Sequence, residues 1–199
     1  MKKMNKFFYK ILILIILSVN AEGKALDVGN SNAKVAVKVF SSLTCPHCAN
    51  FHINIFENLK KEYIDKGIVK FEHYGFPLDL AALNAEIIVR CHVDNKKKFQ
   101  LLGEIYKKQN QWAVGSDINI INESIKKIGL NSGLNNNKMD KCLNNEKVQD
   151  QILNERIEAQ KKYKIQSTPT IFINEKQYKG EHKYELFKKA IKKILKKSN

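Results

Sequence analysis

Valines at 35, 37 and 39 alternate with other residues between positions 33 and 40, the period-two pattern of a strand with a buried face. From Cys45 onward the period lengthens. Phe51, Ile55, Leu59 and Tyr63 recur at helical spacing, Pro46 suits a first helical position, and Asp65-Lys66-Gly67 closes the run. Residues 68–74 return to strand character and end at Gly75-Phe76-Pro77. Beyond Asp79, a candidate helix cap, the pattern is helical: residues 81–93, 98–109, 118–128, 137–143 and 148–163, punctuated by Gly129, Asn131, Gly133 and three consecutive asparagines at 135–137. Strand signals resume at 170–173. Asn174-Glu175-Lys176 then reads as a turn and 177–179 as a strand pairing back. An amphipathic helix over 181–195, carrying Tyr184, Phe187, Ile191 and Leu195, closes the chain. The predicted order is βαβ, a block of helices, then ββα. There is no internal repeat, and no linker suggests separable domains.

The first 21 residues stand apart from this pattern. Lys2, Lys3, Lys6 and Lys10 precede an unbroken apolar stretch at 11–17, and Val19 and Ala21 occupy the −3 and −1 positions of a small-residue cleavage site. The stretch is far shorter than the roughly 20 residues that span a bilayer. A cleaved signal peptide over 1–21 is therefore expected, with an uncleaved anchor as the rival reading. Residues 22–33 read as a flexible leader, 34–78 as the first βαβ part, 79–164 as a helical insertion and 165–199 as the closing ββα part. Export places the chain in a disulfide-permitting compartment.

Charge changes the picture little. Lysine and arginine number 35 against 20 acidic residues, a net +15, which raises nucleic acid or an anionic membrane as partners. The basic residues are almost all lysines spread along helices beside acidic neighbours, as in Lys60-Lys61-Glu62. A solvated surface is the expected meaning, even for the lysine-rich last helix, and no nucleic-acid role is expected.

The chemistry is carried by Cys45-Pro46-His47-Cys48 at the point where the first strand hands over to a helix. Such a helix aims its N-terminal amides and positive dipole end at the first sulfur, favouring thiolate over thiol. Zinc ribbons use the same cysteine spacing, and His52 lies one turn past Cys48, but the fourth ligand of a closed zinc site is missing nearby. No metal is expected. Four cysteines allow three connectivities; if Cys45 pairs with Cys48, then Cys91 and Cys142 are left for each other.

The C-P-H-C motif, the βαβ…ββα order and the distant Thr168-Pro169-Thr170 together resemble an α/β, thioredoxin-like fold with an inserted helical domain. More narrowly, the chain resembles the DsbA-type periplasmic thiol–disulfide oxidoreductases. Phe76-Pro77-Leu78-Asp79, Cys91 and Asp140-Lys141-Cys142-Leu143 are similar to the alphaproteobacterial branch. The resemblance implies that Cys45 is the sulfur attacked by substrate and Cys48 the shielded resolving partner. It implies that His47 and Pro46 tune the thiolate, and that Thr168 and a cis Pro169 offer backbone to an extended substrate. It further implies a disulfide donor for exported polypeptides that acts as a monomer, uses no cofactor beyond the Cys45–Cys48 bond, and is recharged by a membrane quinone-linked partner. Threonine before the proline is a feature shared with isomerases, so isomerase or reductase is the alternative; a zinc module or a chaperone with an idle site stands further off. Val39 occupies the position where the best-known members bury a glutamate, which leaves Glu72 and His73 as candidate proton-relay groups. Given the compartment, Cys91–Cys142 is read as a structural disulfide, with a second working redox pair as the alternative.

Overall fold

The computed structural model describes residues 25–197. The expected signal peptide lies outside the described residues. Five strands form one mixed sheet: β1 (Leu26–Val28), β2 (Val35–Ser41), β3 (Val69–Gly75), β4 (Thr170–Ile173) and β5 (Lys176–Gln177), in the order β1-β3-β2-β4-β5. Strand β2 lies at the centre and is buried along almost its whole length, with Val35, Val37 and Val39 on one face and Phe40 on the other. It pairs in parallel with β3, from Val35↔Val69 to Ser41↔Gly75, and antiparallel with β4, from Val37↔Ile173 to Phe40↔Thr170. A parallel pair needs a crossover, and helix α1 (residues 46–64) supplies it.

The pleat sorts the strand side chains between two cores. Val35, Val37, Val39, Val69 and Phe71 face the larger one, where Phe51 and Phe56 of α1 meet Phe71 at ring-centroid distances of 6.5 and 4.5 Å. Helix α8 (Tyr184–Lys197) covers the same face with Phe187 and Ile191. Phe40 and Phe172 face the other side with Tyr74, Phe76, Ala159, Tyr163 and Ile165. Complete burial of side chains such as Phe40 and Phe71 is worth on the order of 1.5–3 kcal/mol each, which fixes the register.

Between β3 and β4 lies the insertion: α2 (Leu80–Arg90), α3 (Asn95–Lys107), α4 (Gln109–Trp112), α5 (Ile118–Asn131), α6 (Asn136–Leu143) and α7 (Glu146–Tyr163). Five of these start on an Asp or Asn whose side chain accepts a backbone N–H of the first turn. The caps are Asp79, Asp94, Asp117, Asn135 and Asn145. A disulfide joins Cys91, the residue that ends α2, to Cys142 in α6, with Cα atoms 6.1 Å apart. A buried ion cluster joins the insertion to the sheet: Glu86 of α2 meets His73 of β3 at 3.3 Å and Arg90 at 3.0 Å, and Arg90 reaches Glu155 of α7 at 2.8 Å. Burial opposes ionisation of Glu86, yet His73 and Arg90 hold its carboxyl down to about 2.

The structure corrects several expectations. Residues 26–28, expected within a flexible leader, form edge strand β1 antiparallel to β3, with Leu26 buried against the larger core. Three residues of strand carry too short an alternation to register as a period; the open edge of β3 recruits them. Helix α1 contains two π-helical turns, His52–Phe56 and Lys60–Ile64, which simple helical spacing does not reveal. The hairpin between β4 and β5 is tighter than expected, because Asn174 and Glu175 both adopt left-handed φ values of 45° and 62°. Helix α8 begins at Tyr184 rather than near Glu181.

Candidate active site

Cys45 is the N-cap of α1, extended at φ −80° and ψ 119°, and Pro46 follows at the first helical position. Pro46 suits this place because its missing N–H is one that no helix would use there. The cap carbonyl of Cys45 accepts from Cys48 and Ala49 N–H, both at 3.1 Å, which starts the helix. The backbone N–H groups of His47 and Cys48 are thereby aimed back at the Cys45 sulfur. One turn on, Cys48 is fully buried in the larger core. Both are free thiols in this structure.

The two sulfurs have opposite acidities. The Cys48 thiol donates to Cys45, and this, with the Thr168 side chain and the two backbone amides, brings Cys45 down to about 5 against the opposing effect of its partial burial. Burial, then the neighbouring Cys45 charge, pushes Cys48 far above the usual thiol range. One thiolate is therefore available at neutral pH, on the outer sulfur.

The Thr168–Pro169 bond is cis, and Cys45 Sγ as a thiol donates to the Thr168 carbonyl at 3.3 Å. The Thr168 hydroxyl is buried and makes no conventional hydrogen bond, leaving it free to serve the sulfur once it is ionised. Cys45, Cys48, Pro46, Thr168 and Pro169 are thus brought together, although more than a hundred residues separate the two segments. Cys91 and Cys142 lie elsewhere, in the insertion. His47 differs from its expected role in one respect: its side chain is exposed, and its visible contribution to Cys45 is the backbone N–H. Glu72 is on the opposite sheet face from Cys48, paired with Lys70 at 2.7 Å. His73 points into the larger core and meets Glu86 rather than a cysteine. Among the described residues, no three His, Cys, Asp or Glu side chains gather as a metal site. His52 is instead buried, stacked on Phe56 and Tyr106 at 4.5 and 4.9 Å.

Three polar groups that hold the 42–45 turn were not singled out in the sequence. Ser42 Oγ accepts from Leu78 N–H at 3.3 Å, Thr44 donates to Asp79 at 2.7 Å, and the Gln109 amide donates to the carbonyls of Leu43 and Cys45 at 2.7 and 3.1 Å. Only Asp79 had a sequence signal, as a helix cap. Ser42, Thr44 and Gln109 are ordinary polar residues whose meaning is their position.

A dithiol at a helix N-terminus, set against a cis-proline on a thioredoxin-like sheet with a helical insertion, defines a thioredoxin-fold dithiol protein. The family model described as Thioredoxin matches residues 21–193, and the chain belongs to that family, in its DsbA-type group. It is similar to alpha-DsbA1 of Wolbachia pipientis, with a TM-score of 0.80 at 26% identity over 87% of this chain and 92% of that one. It is 30% identical over 178 residues to disulfide bond formation protein D of Bacillus subtilis, covering 85% of this chain and 76% of that protein. A putative protein-disulfide oxidoreductase of Rickettsia bellii is 30% identical over 147 residues, 74% of this chain. The chain spans 56% of that rickettsial relative's length.

Proposed function

We propose that the protein is a thiol–disulfide oxidoreductase that donates the Cys45–Cys48 disulfide to thiols of exported polypeptides. The observation that carries this reading is the placement of the two sulfurs: Cys45 caps α1 beside the cis Thr168–Pro169 bond, where backbone amides and its neighbours bring it down to about 5, while Cys48 is fully buried and stays protonated. In the oxidised protein a substrate thiolate attacks Cys45 Sγ, the Cys45–Cys48 bond breaks, and Cys48 leaves and takes up a proton. A second substrate thiolate attacks the substrate sulfur of the mixed disulfide, and Cys45 leaves as its stabilised thiolate. The substrate is oxidised by two electrons and the cysteine pair is reduced. A thiolate this stable is a good leaving group and favours the reduced form, which makes the disulfide a strong donor. The backbone beside cis-Pro169 supplies the short strand-like contact that orients an extended substrate. The cysteine pair is the only redox group this scheme requires.

Reoxidation by a quinone-linked membrane partner and a periplasm-like location complete the reading, supported by the likeness to DsbA-type proteins and the N-terminal signal pattern. Among the described residues, no helix is long and apolar enough to cross a membrane. Thr168 before the proline favours a second reading, isomerase or reductase. Equilibrating the Cys45–Cys48 pair against a glutathione series separates the two. A potential well above about −180 mV, the value of protein disulfide isomerase, is expected for a donor; one near −270 mV, thioredoxin's value, would make it a reductase.

A further inference from the structure

We propose that Gln109 is a positioning residue for thiol–disulfide exchange: its amide, delivered from the helical insertion, holds the turn that presents the Cys45 sulfur. This rests on the reading of Cys45 as the exchanging thiol. The delivery is built by local structure. The chain breaks out of α3 at Lys108, whose backbone at φ −103° and ψ 16° has left the helical region, and the short α4 folds back. Trp112, 1% exposed, anchors α4 by donating its indole N–H to the Ile105 carbonyl at 2.9 Å. With that anchor in place the Gln109 side chain is directed across to the active-site turn, 64 residues earlier in the chain.

There its Nε2 supplies both of its hydrogens, one to Leu43 O and one to Cys45 O. Leu43 is buried, so its carbonyl needs a donor from the protein. The Cys45 carbonyl is the acceptor on which α1 starts, bonded to Cys48 and Ala49 N–H. Fixing that carbonyl fixes the first turn of α1 relative to the sheet, and with it the direction in which the His47 and Cys48 amides face Cys45 Sγ. Ser42 completes the turn by accepting from Cys45 N–H at 3.2 Å. Removing the Gln109 donors takes from the buried Leu43 carbonyl its side-chain partner and leaves the Cys45 carbonyl held by its own helix alone, so the first turn of α1 is no longer tied to the Leu43 segment. The insertion thus sets the reactivity of a sulfur that belongs to the thioredoxin-like part.

The test uses the full chain with Gln109→Met, close in size but without donors, and Gln109→Glu, which sets an acceptor against both carbonyls. Gln111→Met, an exposed neighbour, is the control. The readouts are the ultraviolet titration of the Cys45 thiolate, the rate of exchange with a small aromatic disulfide at pH 6, and Tm. The expected result is a Cys45 titration moved upward and exchange slowed about three- to tenfold in Gln109→Met, the worth of one buried hydrogen bond. Gln109→Glu should move both further, and the control neither. A Gln109→Met protein with wild-type titration and rate, or one that loses Tm alone, overturns the proposal. Failure of the underlying reading looks different: the unmodified protein itself would exchange no faster than a Cys45→Ser variant, while its Cys45 titration would still report on Gln109.

Discussion

The lowered titration point of Cys45 makes a prediction about folding stability in the reduced protein. Protonation of this thiolate is the perturbation, applied by lowering the pH from 7 to 5. Cys45 titrates near 5 in the folded chain against an ordinary value of 9.0. A group whose folded value is depressed adds stability that is complete above the unfolded value and lost as pH falls through the folded one. The relevant window therefore runs from about pH 9 down to pH 5. Full linkage across the lower half of it amounts to roughly 2 kcal/mol, from about 1.4 kcal/mol per unit. The sulfur is only partly withdrawn from solvent, and the remaining screening weakens such effects, so about 1–2 kcal/mol is expected. Other groups also respond between pH 7 and 5, His52 among them, so the assay is a difference. Urea unfolding of the reduced protein at both pH values is compared with the same experiment on Cys45→Ser. The unmodified protein should lose about 1–2 kcal/mol more than the variant on acidification. Equal losses in the two proteins would refute the assignment of a stabilised thiolate to Cys45, and with it the leaving-group argument.

Three further outcomes follow from groups away from the reacting sulfurs. Burial, aided by the charges of His73 and Lys107, pushes His52 down to about 3. Folding thus excludes a proton that the unfolded chain takes up below about pH 6.5, and stability falls with acid from there toward pH 3; His52→Leu should flatten that slope in chemical denaturation. Replacing Cys91 and Cys142 with alanine should cost up to about 4 kcal/mol, the loop-entropy value for their separation of 51 residues. Exchange at Cys45 should persist in a turnover assay on that variant; its loss would favour a second working redox pair. Glu86→Gln leaves His73 without its carboxylate and Arg90 with Glu155 alone, and breaking such a buried cluster should cost about 3–5 kcal/mol in equilibrium unfolding.

Much of this molecule is written locally, and local signals are what a sequence displays. Alternation at Val35, Val37 and Val39, the spacing of Phe51, Ile55 and Leu59, and the Asp and Asn caps of the insertion each depend on residues within a turn or two of one another. The C-P-H-C motif is of the same kind, because a helix N-terminus acts on the sulfur it begins with. What the tertiary structure alone decided lies across longer distances. Strand β1 exists because β3 offers an open edge, not because three residues insist on it. Val39, not an acid, faces the core that holds Cys48, and the buried carboxylate of Glu86 is engaged by His73 of β3 and by Arg90 of its own helix. Thr168 reaches Cys45 across 123 positions, and Gln109 reaches the same turn across 64. A hydrogen bond carries no trace in the composition or periodicity of either partner when the chain between them is long. Only the packing of the insertion onto the sheet determines which polar side chain holds the turn that carries the reactive sulfur.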